Sequence, residues 1–271
     1  MLRIITDSSA EITEEEAKEL GIRIVPLTVV FGNEAFLEER ELKKDEFYRR
    51  LVGGEFPHSS LPSAQQFIDE FVQTEGEETL VILLSSALSG TVEAARLAVR
   101  EGGFTNVHVY DSHATTAMLR IMVETACRNR DKTADEVTEL LDALRPRLRI
   151  HACLDTLEYL YKGGRIKKSI AIVGGLLGIK PLITFTEQGA VVMDGRAHGQ
   201  KKALRALADT MKKDAIDENF PVYFLQTDTD VPPREVMRQA GREGERIFRI
   251  NCAVGAHIGP NAAGVVYVVK E

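Results

Sequence analysis

A chain of 271 residues has room for one large domain or two ordinary ones, and its 44% hydrophobic and 28% charged residues are the balance of a globular protein. A formal net charge of -7 argues against a binder of nucleic-acid phosphates, which needs basic surface to spare, so no nucleic acid is expected as a partner. No apolar run nears the ~20 residues that cross a bilayer, and Cys127, Cys153 and Cys252 are isolated thiols, so a cytoplasmic protein without disulfide or metal template is expected.

Residues 2–6 read as a short apolar strand broken by Asp7, Ser8 and Ser9, and Thr13 with Glu16 three residues on reads as a capping box. Residues 22–31 read as a second strand that Pro26 places, wholly or at its start, on a sheet edge. A short helix is expected over residues 45–52. Two prolines then keep the backbone extended around Ser59 and Ser60, and Ser63 caps a helix running to about residue 74. Residues 80–84 are five consecutive apolar residues, the pattern of a strand covered on both faces. The run stops in Ser85, Ser86, Ser89, Gly90 and Thr91, after which Val92, Ala95, Ala98 and Val99 recur at helical spacing. Those serines therefore sit between a strand's carboxyl end and a helix's amino end, where free N–H groups favour an anion. A helix cap needs one oxygen, and this loop offers several. Residues 107–110 form another strand ending in Asp111 and Ser112, with helices over 114–129 and 133–144; the alternation implies a right-handed parallel sheet.

The pattern changes near Pro146. An N-terminal α/β domain over residues 1–147 and a C-terminal α/β domain over residues 148–271 are expected, with a ligand crevice between them. A strand over 149–153 and a short helix over 156–161 lead to a glycine break carrying Lys162 and Arg165. Residues 170–177 are apolar all round, so they are read as a buried segment whose Ile170, Ile172, Val173, Leu176 and Leu177 could wall an apolar cavity. Residues 179–185 and 190–193 flank the Gln188-Gly189 turn as a hairpin, which makes the second sheet mixed. Helices over 201–213 and 233–241 and strands over 222–225 and 247–250 follow; a glycine-rich loop bearing His257 then precedes an edge strand over 265–269.

No phosphate-binding glycine motif, dinucleotide fingerprint, H-E-x-x-H or C-x-x-C is present, so no cofactor and no metal are expected. The nucleophile elbow G-x-S-x-G is missing as well, and no catalytic residue is assigned. Ser89, His257 and Asp7 or Asp111 are the set from which a serine triad could still assemble, because geometry rather than chain order defines one.

The series T-D-S-S-A from Thr6, Ser60 to Ser63, L-S-S-A-L-S-G-T from Leu84, L-E-Y-L-Y-K-G-G-R-I from Leu157, G-I-K-P-L-I from Gly178 and H-I-G-P from His257 resembles, in order, the motifs of the bacterial DegV family. The resemblance implies two α/β domains enclosing a long-chain fatty acid, in a carrier that is not itself an enzyme. Such a carrier presents the lipid carboxyl group to a separate fatty-acid kinase, which supplies ATP and metal and makes an acyl phosphate for phospholipid synthesis. Carried over by motif, the carboxylate falls to Ser59, Ser60, Ser89, the Gly90 N–H and His257, although the family usually has threonine where this chain has Ser59. The kinase-docking set becomes Arg165, Arg196, His198 and Lys201, with His198 in the slot where the family typically shows an arginine three residues before Lys201-Lys202. A monomer with at most transient membrane-surface contact is expected. The alternatives are a serine-dependent hydrolase or acyltransferase using Ser89 and His257, and a lipid sensor without chemistry.

Overall fold

The apolar run at residues 80–84 is a central strand because both of its faces are covered. In the computed structural model, which describes residues 1–74, 76–167 and 178–271, β6 (Thr79–Leu83) is buried along its whole length. It pairs with β1 (Arg3–Asp7) inside a four-stranded sheet ordered β2 (Arg23–Val25), β1, β6, β7 (Val107–Asp111), and every pair is parallel. Side chains alternate across this sheet, as the two-residue period of a strand requires. Ile4, Leu80 and Ile82 face α1 (Glu14–Leu20), α5 (Thr116–Arg128) and α6 (Ala134–Leu144). Ile5, Val81 and Leu83 face α3 (Ala64–Val72) and α4 (Thr91–Gly102). Strand order reverses between β1 and β6, and in a doubly wound sheet the crevice beyond the carboxyl ends at that point is where ligands bind.

The second sheet has six strands in the order β10 (Val191–His198), β9 (Ile179–Phe185), β8 (Leu148–Cys153), β13 (Ala263–Val268), β11 (Tyr223–Gln226), β12 (Arg246–Arg249). All pairs are antiparallel except β11 with β12, so the sheet is mixed. One face packs on α8 (Gln200–Lys213) and α9 (Val231–Ala240). Leu148, Ile150, Leu225 and Val266 on the other face share one core cluster with Leu119 and Met122 of α5. Helix α5 is thus sandwiched between the two sheets.

Three sequence expectations are corrected. Residues 22–31 are two strands in different sheets, because Pro26 has no N–H for a ladder and the Leu27 N–H leaves the sheet to donate to Ser8 Oγ at 3.0 Å. The second piece, β3 (Thr28–Phe31), is the middle of a small antiparallel sheet between β4 (Glu34–Leu37) and β5 (Pro57–Ser60). The last strand, β13, lies in the middle of its sheet and is buried at all six positions. The segment bearing His257 is helix α10 (Cys252–Ile258), capped by the Asn251 side chain, which accepts from the Val254 N–H at 2.9 Å. Gly255 within it reflects packing rather than a loop: a Cβ there would stand 2.7 Å from the Tyr48 hydroxyl of α2 (Lys44–Val52). Among the described residues no helix is long and apolar enough to cross a membrane.

Candidate functional site

The small sheet and α10 deliver two polar side chains to the crevice above β1 and β6. Strand β5 turns Ser59 inward and leaves Ser60, one residue on, exposed, as alternation along a strand demands. Ser59 Oγ lies 2.6 Å from His257 Nε2. His257 is placed by its helix, whose amino end is fastened to the N-terminal half by buried carboxylates. Glu38 accepts from the Ala253 N–H at 2.8 Å and from Ser8 Oγ at 2.6 Å. Glu11 accepts from the Asn251 N–H at 2.9 Å and from Lys44 Nζ at 3.1 Å. The ring itself rests on Gly163, where a Cβ would come within 2.1 Å of Nδ1. The glycine break after α7 (Glu158–Lys162) is therefore required by the histidine.

These residues open onto a narrow crevice that is partly open to solvent. Its walls are mainly apolar, with Leu84, Ile150, Ile183, Phe185, Leu225 and Ile258 among them. The polar residues on it are Ser59, Ser89, Arg165 and His257, together with Thr115 and Thr116 at the start of α5. Ser89 Oγ is 2.8 Å from Thr91 Oγ1 at the amino end of α4. Arg165 Nε donates to the Leu88 carbonyl at 2.8 Å, and a second guanidinium nitrogen donates to the Gly163 carbonyl. Among the described residues no carboxylate pairs with Arg165, and burial pulls its guanidinium below the ordinary value.

Burial, then the Arg165 cation and the neighbouring His58, push His257 down to about 4, so its ring is neutral at pH 7. Its Nδ1 has no hydrogen-bond partner. Placing the ring proton on Nε2 avoids burying an unpaired N–H; Nε2 then donates to Ser59 Oγ, and the serine keeps its own proton for an incoming acceptor. The crevice mouth thus offers neutral donors and one cation that has no counter-charge among the described residues, the makings of an anion site.

The triad is not assembled. His257 meets Ser59 rather than Ser89, and both aspartates are engaged elsewhere. Asp7 accepts from the N–H groups of Ser9 at 2.9 Å and Leu84 at 2.7 Å, tying two strand ends together. Asp111 accepts from the N–H groups of Ser86 at 3.1 Å and His113 at 3.2 Å. Gly90 is the exposed N-cap residue of α4, next to the Leu61 side chain. Arg196 and His198 are exposed at alternate positions of β10, at the edge of the mixed sheet, and Lys201 is exposed in the first turn of α8. Arg165 is separated in position from the other three docking candidates, since it lines the cavity. Ile170, Ile172, Val173, Leu176 and Leu177 lie outside the described residues. Thr115 and Thr116 were overlooked, although they follow Asp111 and Ser112 at the carboxyl end of a parallel strand, as the other hydroxyl loops do. Among the described residues no cluster of His, Cys, Asp or Glu could hold a metal ion.

Comparison with known proteins adds a lineage to this geometry. The model of the DegV family of uncharacterised proteins matches residues 1–270. A DegV domain-containing protein from Caldanaerobacter subterraneus is 32% identical over 278 residues, covering 99% of each chain. The fold superposes with a TM-score of 0.86 on a fatty-acid-binding DegV family protein from Thermus thermophilus, 27% identical over 99% of both chains. It superposes with a TM-score of 0.85 on a stearic acid-binding protein from Eubacterium ventriosum, 25% identical over 100% of this chain and 99% of the other.

Proposed function

Because the chain belongs to the DegV family, we propose that it binds a long-chain fatty acid between its two larger sheets and presents the carboxyl group to a separate fatty-acid kinase. The observation that carries this reading is Arg165, a half-buried cation with no carboxylate partner among the described residues, beside neutral Ser59, Ser89 and His257 at the mouth of an apolar cavity. A buried carboxylate needs several donors, and here it would take one hydrogen bond each from the Ser59 and Ser89 hydroxyls and its counter-charge from Arg165. The tail would fill the cavity. At about 0.8 kcal/mol per buried methylene, a long chain contributes roughly 10 kcal/mol before ordering costs, so affinity resides in the tail and orientation in the head.

Acyl-phosphate formation requires an ionised carboxylate: one of its oxygens attacks the γ-phosphorus of ATP on the kinase, and ADP leaves. Arg165 favours that ionised form, and the neutral histidine donates through Ser59 without giving up a full proton to the nucleophile. Denaturing mass spectrometry of an organic extract of the purified protein tests the binding. About one fatty acid per chain is expected, because an apolar cavity should fill during expression. Only trace lipid, with no rise in Tm on adding oleate or stearate, would overturn the proposal. Lipid binding with no acyl phosphate formed by a fatty-acid kinase would leave a lipid sensor instead.

A further inference from the structure

Two threonines on the cavity wall, whose buried hydroxyls a turn about χ1 could bring to the lumen, lie apart from the set proposed to hold the carboxylate. Thr115 and Thr116 are 3% and 1% exposed, and both line the cavity. Among the described residues neither Oγ1 has a hydrogen-bond partner. It follows that no polar atom of Ser59, Ser89, Arg165 or His257 is within bonding reach of either hydroxyl. A threonine hydroxyl can usually satisfy itself on a nearby carbonyl, as Thr125 does on Ile121 at 2.8 Å later in the same helix. Thr115 and Thr116 do not, and buried polar groups left in this way call for a specific explanation.

Their setting adds two independent observations. Thr116 holds φ 52°, a left-handed conformation that a β-branched residue rarely adopts and that persists only where the surroundings enforce it. Thr115 occupies the N-cap of the 13-residue helix α5, yet its side chain makes no capping bond. The hydroxyl that would normally turn back to the first-turn N–H groups is withheld from them, and those N–H groups gain no side-chain acceptor from it. A strained backbone, two unpaired hydroxyls and an uncapped helix end therefore meet at one place on an otherwise apolar wall.

We propose that Thr115 and Thr116 form a second polar subsite, which takes an oxygen substituent on the lipid tail, so that the cavity accepts hydroxylated long-chain fatty acids as well as plain ones. This rests on the fatty-acid reading above. A tail hydroxyl can accept from one threonine while donating to the other, which leaves all three groups paired. With a plain acyl chain the place is left to a water molecule or to nothing, and the pairing is poorer. The position of the hydroxyl along the chain has to match the span from the carboxylate, so a single positional isomer should be favoured.

The test uses delipidated full-length protein and competition binding with stearic acid and a panel of hydroxystearic acids differing in hydroxyl position. At least one hydroxy isomer should bind as tightly as stearate or more tightly, despite the desolvation of its hydroxyl. Thr116→Val should lower the ratio of hydroxystearate to stearate affinity for that isomer about tenfold, the size of one net hydrogen bond. Thr115→Val, at an ordinary extended backbone position, provides a second reading should the strained site not tolerate change. Thr116→Ser should restore the ratio. If every hydroxy isomer binds more weakly than stearate, or if both valine variants leave the ratio unchanged, the subsite does not exist. If the protein binds neither stearate nor any hydroxystearate, the fatty-acid reading fails and the subsite falls with it; a preserved stearate affinity separates the two failures.

Discussion

At the scale of single residues, the proposed binding turns on Arg165. Its neighbours at the cavity mouth are neutral, His257 because burial, Arg165 itself and His58 hold it down at about 4. A docking role would require the arginine to face outward, whereas its Nε is bound to the Leu88 carbonyl and the residue lines the cavity. Arg165→Ala should therefore weaken fatty-acid binding by about 1 to 3 kcal/mol, the cost of a buried anion left short of a donor. The same change should scarcely affect a fatty alcohol of equal chain length, which carries no charge to compensate. Isothermal titration of the delipidated protein with both ligands measures the difference. Equal losses for acid and alcohol would return Arg165 to a packing or docking role.

At the scale of elements, the helix that carries His257 is held by Glu38, which is 1% exposed and pushed up to about 8 by burial, against the hydrogen bonds from Ser8 and Ala253. Glu11 nearby raises it further and Lys44 opposes. Because the folded value lies above the ordinary carboxylate value of 4.5, the stability that Glu38 contributes is complete below about 4.5 and is lost as pH rises through about 8. Glu38→Gln keeps an acceptor for the Ala253 N–H and cannot ionise. The variant and the parent protein should melt at similar temperatures near pH 5, and the variant should melt higher at pH 9. A differential scanning calorimetry series across that range measures it. Parallel curves for the two proteins would show that Glu38 does not titrate in this window.

At the scale of the whole molecule, the two sheets share one core through α5, so ligand, helix and both sheets are expected to respond together. The outward faces remain free to meet a partner. Arg196 and His198 share one exposed face of edge strand β10, and Lys201 stands in the turn beyond it, in a chain of net charge -7. If this corner guides the kinase, Arg196→Ala should slow acyl-phosphate formation through complex formation, added salt should mimic it, and fatty-acid affinity should be unaffected. Steady-state rates at several kinase concentrations and two ionic strengths measure it. A matching loss of lipid affinity would place Arg196 with the cavity, and no effect would remove it from the interface.

Much of the architecture was legible from the residues because it is written in local physics. The apolar run at Leu80 to Leu84, the capping box at Thr13, the helix cap at Ser63 and the Gln188-Gly189 turn each follow from patterns a few residues long. The hydroxyl loops at strand ends are likewise local in the sequence, and they motivate the proposed anion site. Tertiary packing decided the rest. Gly255 and Gly259 read as a loop, yet His257 lies on a helix, because the glycine is required by the approach of Tyr48 from α2. An apolar strand such as Ala263–Val268 is equally apolar at an edge or at a centre, and only its pairing with β8 and β11 shows which. Which of Ser59 and Ser60 points inward depends on the register of β5 against β3, where Ser59 stands opposite Val29. That Arg165, Thr115 and Thr116 face one cavity depends on two sheets closing over a shared helix, a long-range arrangement that no local spacing encodes.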